Sequence, residues 1–181
     1  MDKAIIFTDT INTDNVKKCI DTIQEWLIAS KDNTVTLYFE STGGYLPSGA
    51  LLSNFLEAHK ERIKLIGFGD LFSTAFLVLY NFSGRKKVLA DAMGMVHHTD
   101  SDVSYRNITK HPKGMGNIII GDVKYMNNAM LEEFSKFLSP DEIARFTEGE
   151  EVYISYPTME KLINQGQVWA NKNWFWEQVL T

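Results

Sequence analysis

The sequence predicts a single α/β domain in which repeated βαβ units form a mainly parallel sheet. Short apolar runs alternate with segments whose apolar residues recur at helical spacing, which is the pattern of βαβ units. Glycine-containing turns follow two of the apolar runs, and the length of 181 residues suits one compact domain. We place the core at residues 5–168 and an aromatic C-terminal tail at 169–181.

The first half of the chain predicts three strand and helix pairs. Residues 4–7 form a short apolar run typical of a buried strand, and Thr13 is predicted to be the N-cap of the helix that follows. The apolar residues of this helix are Val16, Cys19, Ile20, Ile23 and Leu27. The next two pairs comprise strands at 34–39 and 63–67, turns at 41–44 and 67–73, and helices that begin at Pro47 and at Thr74.

The second half predicts three more strands and two more helices. The strands lie at 87–90, 94–97 and 152–155, a polar loop at 99–116, a long helix at 122–138 and a short helix at 157–163. The long helix has a broad apolar face of Val123, Met126, Met130, Leu131 and Phe134, which either packs within the chain or contacts another subunit. Three of the four tryptophans lie at 169–176, a pattern that favours a stripe over the core or a subunit interface.

Composition excludes several classes of function. The net charge of -5 and the absence of a basic run argue against nucleic-acid binding, and no segment approaches the about 20 apolar residues of a membrane span. Cys19 is the single cysteine, so an internal disulfide is impossible; we expect a buried, unreactive thiol and a cytoplasmic protein. We expect no metal, since no ligand set accompanies His97 and His98, and no cofactor, since the glycines form no dinucleotide fingerprint.

Candidate site residues follow strands of the predicted sheet, where loops at the carboxyl ends gather. Ser73 lies between a glycine turn and a helix N-terminus, where the amide of Thr74 is free to donate to an anion. Gly44 has no side chain to keep a substrate from its amide, and His97 ends an apolar strand. Taken singly, these residues also fit a helix cap, an ordinary turn and a structural histidine, so their order and spacing carry the prediction.

Three segments resemble the serine peptidase subunit of the Clp protease, within the ClpP-like and crotonase-like folds. Phe39-Glu-Ser-Thr-Gly-Gly-Tyr45 is similar to the family's strand and Asn-Ser-Pro-Gly-Gly turn. Gly69-Asp-Leu-Phe-Ser73 is similar to its Gly-x-Ala-Ala-Ser nucleophile turn, and Met95-Val-His-His98 to its Met-Ile-His-Gln segment. The spacings between Gly44, Ser73 and His97 are also close to those of the family, and the resemblance covers about residues 5–168.

The resemblance implies a role for each matching residue. Ser73 would be the nucleophile and His97 the general base, while the amides of Gly44 and Thr74 would form the oxyanion hole. The family's acid matches Glu151, with Glu150 as the neighbouring choice. Asp70, which replaces a small or neutral residue of the family, either places negative charge near the nucleophile or itself orients the histidine.

The implied function is a serine endopeptidase that hydrolyses peptides or unfolded polypeptides through an acyl-enzyme on Ser73. The family's rings imply a homo-oligomer in which the long helix makes the contact between rings. The family has further residues before its first strand, which form axial loops that contact the unfoldase. Because the first strand starts almost at once here, we expect the protein not to depend on a Clp-type ATPase in the usual way. Two alternatives remain: an inactive scaffold or binding protein, suggested by Asp70 and Phe72, and an acyl-CoA enzyme of crotonase type.

Overall fold

The computed structural model describes residues 1–99 and 115–164, with side chains from residue 124 onward in the second stretch. Most of the predicted loop at 99–116 and the whole of the aromatic tail at 169–181 therefore lie outside the described residues. The chain divides into two compact units. The first comprises Met1–Val96 together with the chain from Tyr153 onward, and the second comprises His97–Val152.

The described elements alternate as the sequence predicts through the first half of the chain. They are β1 (Asp2–Phe7), α1 (Thr13–Ala29), β2 (Thr34–Ser41), α2 (Leu46–Ala58), β3 (Ile63–Phe72), α3 (Thr74–Asn81), β4 (Arg85–Val88), β5 (Met93–Val96), α4 (Met115–Phe134), α5 (Pro140–Thr147), β6 (Val152–Ile154) and α6 (Tyr156–Ile163).

The six strands form one sheet in the order β1-β2-β3-β5-β6, with β4 also paired to β3. The pairs β1 with β2, β2 with β3, β3 with β4 and β3 with β5 are all parallel. The predicted fold class, α/β with repeated βαβ units and a mainly parallel sheet, is therefore confirmed. On β2 the residues Val35, Leu37, Phe39 and Ser41 are buried and alternate with half-buried neighbours, because successive side chains of a strand face opposite sides.

The third strand is longer than the sequence predicts. We expected it to end at Gly67, but β3 continues to Phe72 because its last residues pair with β5, with Phe72 opposite Met95. Phe39 of β2 lies opposite Gly67, whereas Ser41 lies opposite Leu71, so two extra residues bulge from β3 at this point. The chain thus reaches Ser73 from a strand rather than from a loop.

Helix boundaries differ from the predictions where side-chain hydrogen bonds set them. The N-cap of α1 is Asn12, not Thr13, because the Asn12 side chain accepts a hydrogen bond from the amide of Asn15 at 2.8 Å. Helix α5 was not predicted, although Ser139 and Glu142 form a capping box that the sequence displays.

Each of the two units buries apolar side chains. In the first unit, all eight residues of α3 are buried, which explains its uninterrupted apolar sequence. In the second unit, α4 begins at Met115 and ends at Phe134, earlier than the predicted 122–138. Its Met130 and Phe134 are buried, whereas Met126 and Leu131 are half-buried. Among the described residues, no helix is both long and apolar enough to cross a membrane.

The thiol of Cys19 is buried in the first unit, as the sequence predicts, and burial raises its pKa from the ordinary 9.0 to about 12. We expect a thiol reagent at pH 8 to leave the native protein unmodified and to react fully in denaturant, because the thiolate is the reactive form. The unfolded thiol loses its proton near pH 9 and the folded one only near pH 12, so unfolding becomes easier as the pH rises between these values.

The Cys19→Ala variant isolates this effect in titrations of the free energy of unfolding. The difference between wild type and variant should stay constant below pH 9 and then move against the wild type as the pH rises. Rapid modification of the folded wild type would contradict the prediction.

Candidate active site

Ser73 is the residue at which β3 becomes α3, and its backbone is strained. Its φ of 54° and ψ of -122° make it the one non-glycine residue with positive φ in the described parts of the chain. The conformation is held from both sides, because the Ser73 amide donates to the Met95 carbonyl at 2.7 Å and the Ser73 carbonyl accepts from the Leu77 amide at 3.3 Å. A strained residue of this kind persists only where its surroundings fix it, and such residues cluster at functional sites.

The Ser73 hydroxyl does not cap the helix. Ser73 occupies the N-cap position of α3 but makes no side-chain cap hydrogen bond. Ser139 shows the contrast, since it has an ordinary extended backbone and its hydroxyl accepts from the amide of Glu142. Ser73 is also half-buried, although the helix that it precedes is buried throughout. Capping therefore does not explain this serine, and a sharp turn from strand to helix is typical of a nucleophile.

The glycine pair after β2 packs directly against Ser73. Gly43 has a φ of 92°, and a Cβ added to it would lie 2.6 Å from the Phe72 carbonyl oxygen and 2.9 Å from the Ser73 Cβ. The same Cβ would lie 3.2 Å from the amide nitrogen of Thr74. Sequence reasoning selected Gly44 for its amide and missed Gly43, whose sequence signal was the adjacent pair of glycines.

Gly44 is fixed by the loop that precedes α1. The Ile11 amide donates to the Gly43 carbonyl at 2.9 Å, and the Tyr45 amide donates to the Ile11 carbonyl at 2.7 Å. The Thr74 hydroxyl in turn donates to the Gly44 carbonyl at 2.9 Å, which ties this turn to the start of α3. Neither the Gly44 amide nor the Thr74 amide donates to another of the described residues. Both backbone amides therefore lack an acceptor among the described residues.

Asp70 and Phe72, close to Ser73 in the sequence, differ from the residues of the family that the sequence resembles. Leu71 between them is buried, so alternation along β3 places both side chains on the other face of the sheet. The Phe72 ring packs edge-on against the Tyr153 ring, with centroids 5.8 Å apart, which accommodates its bulk. Asp70 lies opposite Met93 and is half-buried, and its carboxylate has no hydrogen bond or ion pair within the part of the chain that the structure describes.

The two histidines begin the second unit. His97 directly follows β5, the strand whose Met95 carbonyl accepts from the Ser73 amide, and His97 is half-buried. The His98 ring packs edge-on against the Phe146 ring, with centroids 4.7 Å apart, so His98 has a packing role. No group of three or more His, Cys, Asp or Glu side chains suited to a metal ion occurs among the described residues.

Arg145 distinguishes the two candidate acids on the turn before β6. Its Nε lies 2.9 Å from Glu150 Oε2, so the Glu150 carboxylate is held in an ion pair. Its Nη2 donates to the backbone carbonyl of Glu151 at 2.8 Å, which fixes the main chain of that residue. The ion pair with Arg145 makes Glu150 the weaker candidate of the two. The structure groups Ser73, Thr74 and the glycine pair in the first unit, and His97 and Glu151 belong to the second.

The sheet and the strained serine define a class of α/β protein with a sharp turn between a central strand and a buried helix. Residues 1–121 match the model of the Clp protease family, and the chain belongs to that family. Among solved structures, a point mutant of ClpP1 from Listeria monocytogenes is similar to this chain with a TM-score of 0.60 and 16% identity, over 88% of this chain and 86% of that one. At this identity the likeness shows the ClpP-like fold alone. A comparison with curated protein sequences found no match.

Proposed function

We propose that the protein is a serine peptidase that cleaves peptides or unfolded polypeptides through an acyl-enzyme on Ser73. The observation that carries the proposal is the strained, non-capping Ser73 at the junction of β3 and α3. Membership of the Clp protease family supports the same reaction class. The proposed general base is His97, and the proposed acid that orients it is Glu151.

In the proposed mechanism, the Ser73 Oγ attacks the carbonyl carbon of the scissile peptide bond while His97 takes the hydroxyl proton. The carbonyl oxygen becomes an oxyanion, which the amides of Gly44 and Thr74 bind. The C–N bond then breaks, the leaving amine receives the proton from His97, and the acyl group stays on Ser73. A water molecule, deprotonated by the same histidine, hydrolyses the ester and restores the serine.

The start of α3 supports the proposed oxyanion hole in two ways. Thr74 is the first residue of the helix, so its amide lacks an intrahelical partner and the helix dipole favours negative charge beside it. Thr74 is 2% exposed and its hydroxyl is bonded to the Gly44 carbonyl, so the two peptide groups are coupled. Preorganised donors of this kind stabilise an oxyanion without moving during the reaction.

A fluorophosphonate probe followed by peptide mapping tests the proposal directly. We expect one stoichiometric adduct, on the peptide that contains Ser73. We also expect the protein to hydrolyse unfolded casein or short fluorogenic peptides, and the probe to abolish this hydrolysis. A folded protein that takes up no probe would overturn the proposal and favour the inactive scaffold. The observation that supports the scaffold is the half-buried Asp70, which has no bonded partner among the described residues.

Replacement of the two glutamates identifies the acid. We expect Glu151→Gln to lower kcat by about 10²–10⁴-fold, because the imidazole loses the group that orients it and stabilises its cation. The matched control is Glu150→Gln, which removes an exposed ion pair with Arg145 and should change kcat by less than about twofold. Equal losses in the two variants, measured as initial rates of peptide hydrolysis, would contradict the assignment.

We also propose that the protein acts in the cytoplasm. A separate proposal is that it is a homo-oligomer, since members of the Clp protease family generally form rings. Enclosure of the active sites within a ring would limit the substrates to unfolded segments. A monomer in sedimentation equilibrium at micromolar concentration would overturn the oligomer proposal.

A further inference from the structure

Two of the three residues that follow β5, His98 and Thr99, are held by side chains of the second unit. The Thr99 amide donates to Asn127 Oδ1 at 2.8 Å, and Asn127 Nδ2 donates to the Thr99 carbonyl at 3.4 Å. A single side-chain amide thus contacts both backbone groups of one residue. Only asparagine and glutamine offer an adjacent donor and acceptor that can pair with a backbone in this way.

The neighbouring residue is fixed by aromatic packing. The His98 ring contacts the Phe146 ring edge-on, and Phe146 in turn packs edge-on against Phe134, with centroids 5.6 Å apart. Phe146 and Phe134 are both fully buried. The segment from His97 to Thr99 is therefore attached at two successive residues, by a hydrogen-bonded pair at Thr99 and by a ring contact at His98, immediately after the proposed base.

Helix propensity does not explain the position of Asn127. It lies inside α4, and asparagine disfavours a helix interior because its side chain competes for backbone hydrogen bonds. Asn128 beside it is exposed, whereas Asn127 is half-buried and directed at Thr99. A residue that breaks a local preference is expected to have a compensating role, and the contact with Thr99 is the one that the described structure offers.

We propose that Asn127 is a positioning residue for His97. This inference rests on the proposed function of His97 as general base. By pairing with both backbone groups of Thr99, Asn127 fixes the main chain two residues beyond the histidine, after the sheet has ended. A base that is misplaced by about 1 Å can cost about 10²-fold in rate, so a hydrogen-bonded pair at this point has a direct effect on catalysis.

The test compares Asn127→Ala, Asn127→Asp and the matched control Asn128→Ala. Alanine removes both bonds while it raises helix propensity, so the variant is expected to fold. Aspartate keeps the acceptor of the shorter bond and loses the donor of the longer one. For each variant, kcat and KM for a fluorogenic peptide are measured, and kcat is divided by the concentration of active sites titrated with a fluorophosphonate.

We expect Asn127→Ala to lower kcat per titrated site by about 10–10²-fold with KM nearly unchanged, Asn127→Asp to recover most of the loss, and Asn128→Ala to match the wild type. Loss of hydrogen-exchange protection at the Thr99 amide in the alanine variant alone would support the same conclusion. A merely structural role would reduce the number of titrated sites and leave kcat per site intact, which would overturn the inference. Failure of the wild type to be labelled at Ser73 would instead overturn the proposed function itself.

Discussion

Ser73→Ala is expected to abolish fluorophosphonate labelling and to lower peptide hydrolysis by about 10³-fold or more, because the proposed acyl-enzyme forms on its hydroxyl. The variant should remain folded, since the hydroxyl makes no cap hydrogen bond to α3. The strained backbone persists in the alanine variant, so the free energy of unfolding should change by less than about 1 kcal/mol. Labelling, hydrolysis and denaturant unfolding of the same preparation measure all three quantities.

Ser155→Ala is the matched control for this variant. Ser155 is the N-cap of α6, which like α3 has eight residues, and its side chain also makes no cap hydrogen bond. Its φ of -66° and ψ of 156° are ordinary, so it shares the position of Ser73 but not the strained turn. We expect full labelling and full activity in Ser155→Ala. Retained labelling in Ser73→Ala would place the nucleophile elsewhere and refute the assignment.

Gly43→Ala is expected to destabilise the protein by about 2–4 kcal/mol and to lower the labelling rate by at least about 10²-fold. Its φ of 92° disfavours a side chain, and the new Cβ would come within 3 Å of the Phe72 carbonyl oxygen and the Ser73 Cβ, at 2.6 and 2.9 Å. Relief of this clash requires movement of the residues that carry the proposed nucleophile and the Thr74 amide. Equilibrium unfolding and the rate of labelling check the two effects separately.

Gly149→Ala separates the clash from the backbone strain. Gly149 has a similar φ of 84°, but among the described residues a Cβ there would meet only the His98 ring nitrogen, at 4.0 Å. The expected cost is therefore the conformational term alone, about 1–2 kcal/mol. If Gly43→Ala costs no more than Gly149→Ala and labels at the wild-type rate, the close packing of the glycine turn on Ser73 has no functional importance.

The alternation of elements could be predicted from the sequence because apolar runs and helical spacing are local signals. The boundaries could not, because distant contacts set them. β3 extends beyond Gly67 only because β5 pairs with its last residues, and the periodicity of residues 63–72 contains no trace of that partner. Helix α5 was missed although its capping box stands in the sequence, since an eight-residue amphipathic segment gives a weak periodic signal.

The candidate site residues could be predicted from the sequence, but the backbone angles and contacts that distinguish them could not. The order of Gly44, Ser73 and His97 was visible, but a serine at a helix start reads as a cap until its backbone angles and its side-chain bonds are known. The choice between Glu150 and Glu151 depended on Arg145, which lies five residues before Glu150 and whose reach no spacing rule predicts. Gly43 was overlooked because only the structure shows its contact with Ser73, although the glycine pair stands in the sequence.

The bulge in β3 determines which changes of chain length this region can tolerate. Phe39 and Ser41 of β2 are two residues apart, whereas their partners on β3, Gly67 and Leu71, are four residues apart. The excess is even, so Leu71 still faces the interior after the irregularity, as Gly67 does before it. Deletion or insertion of a single residue here would exchange the two faces of everything up to Ser73. Relatives of this chain should therefore vary in length at this bulge by pairs of residues.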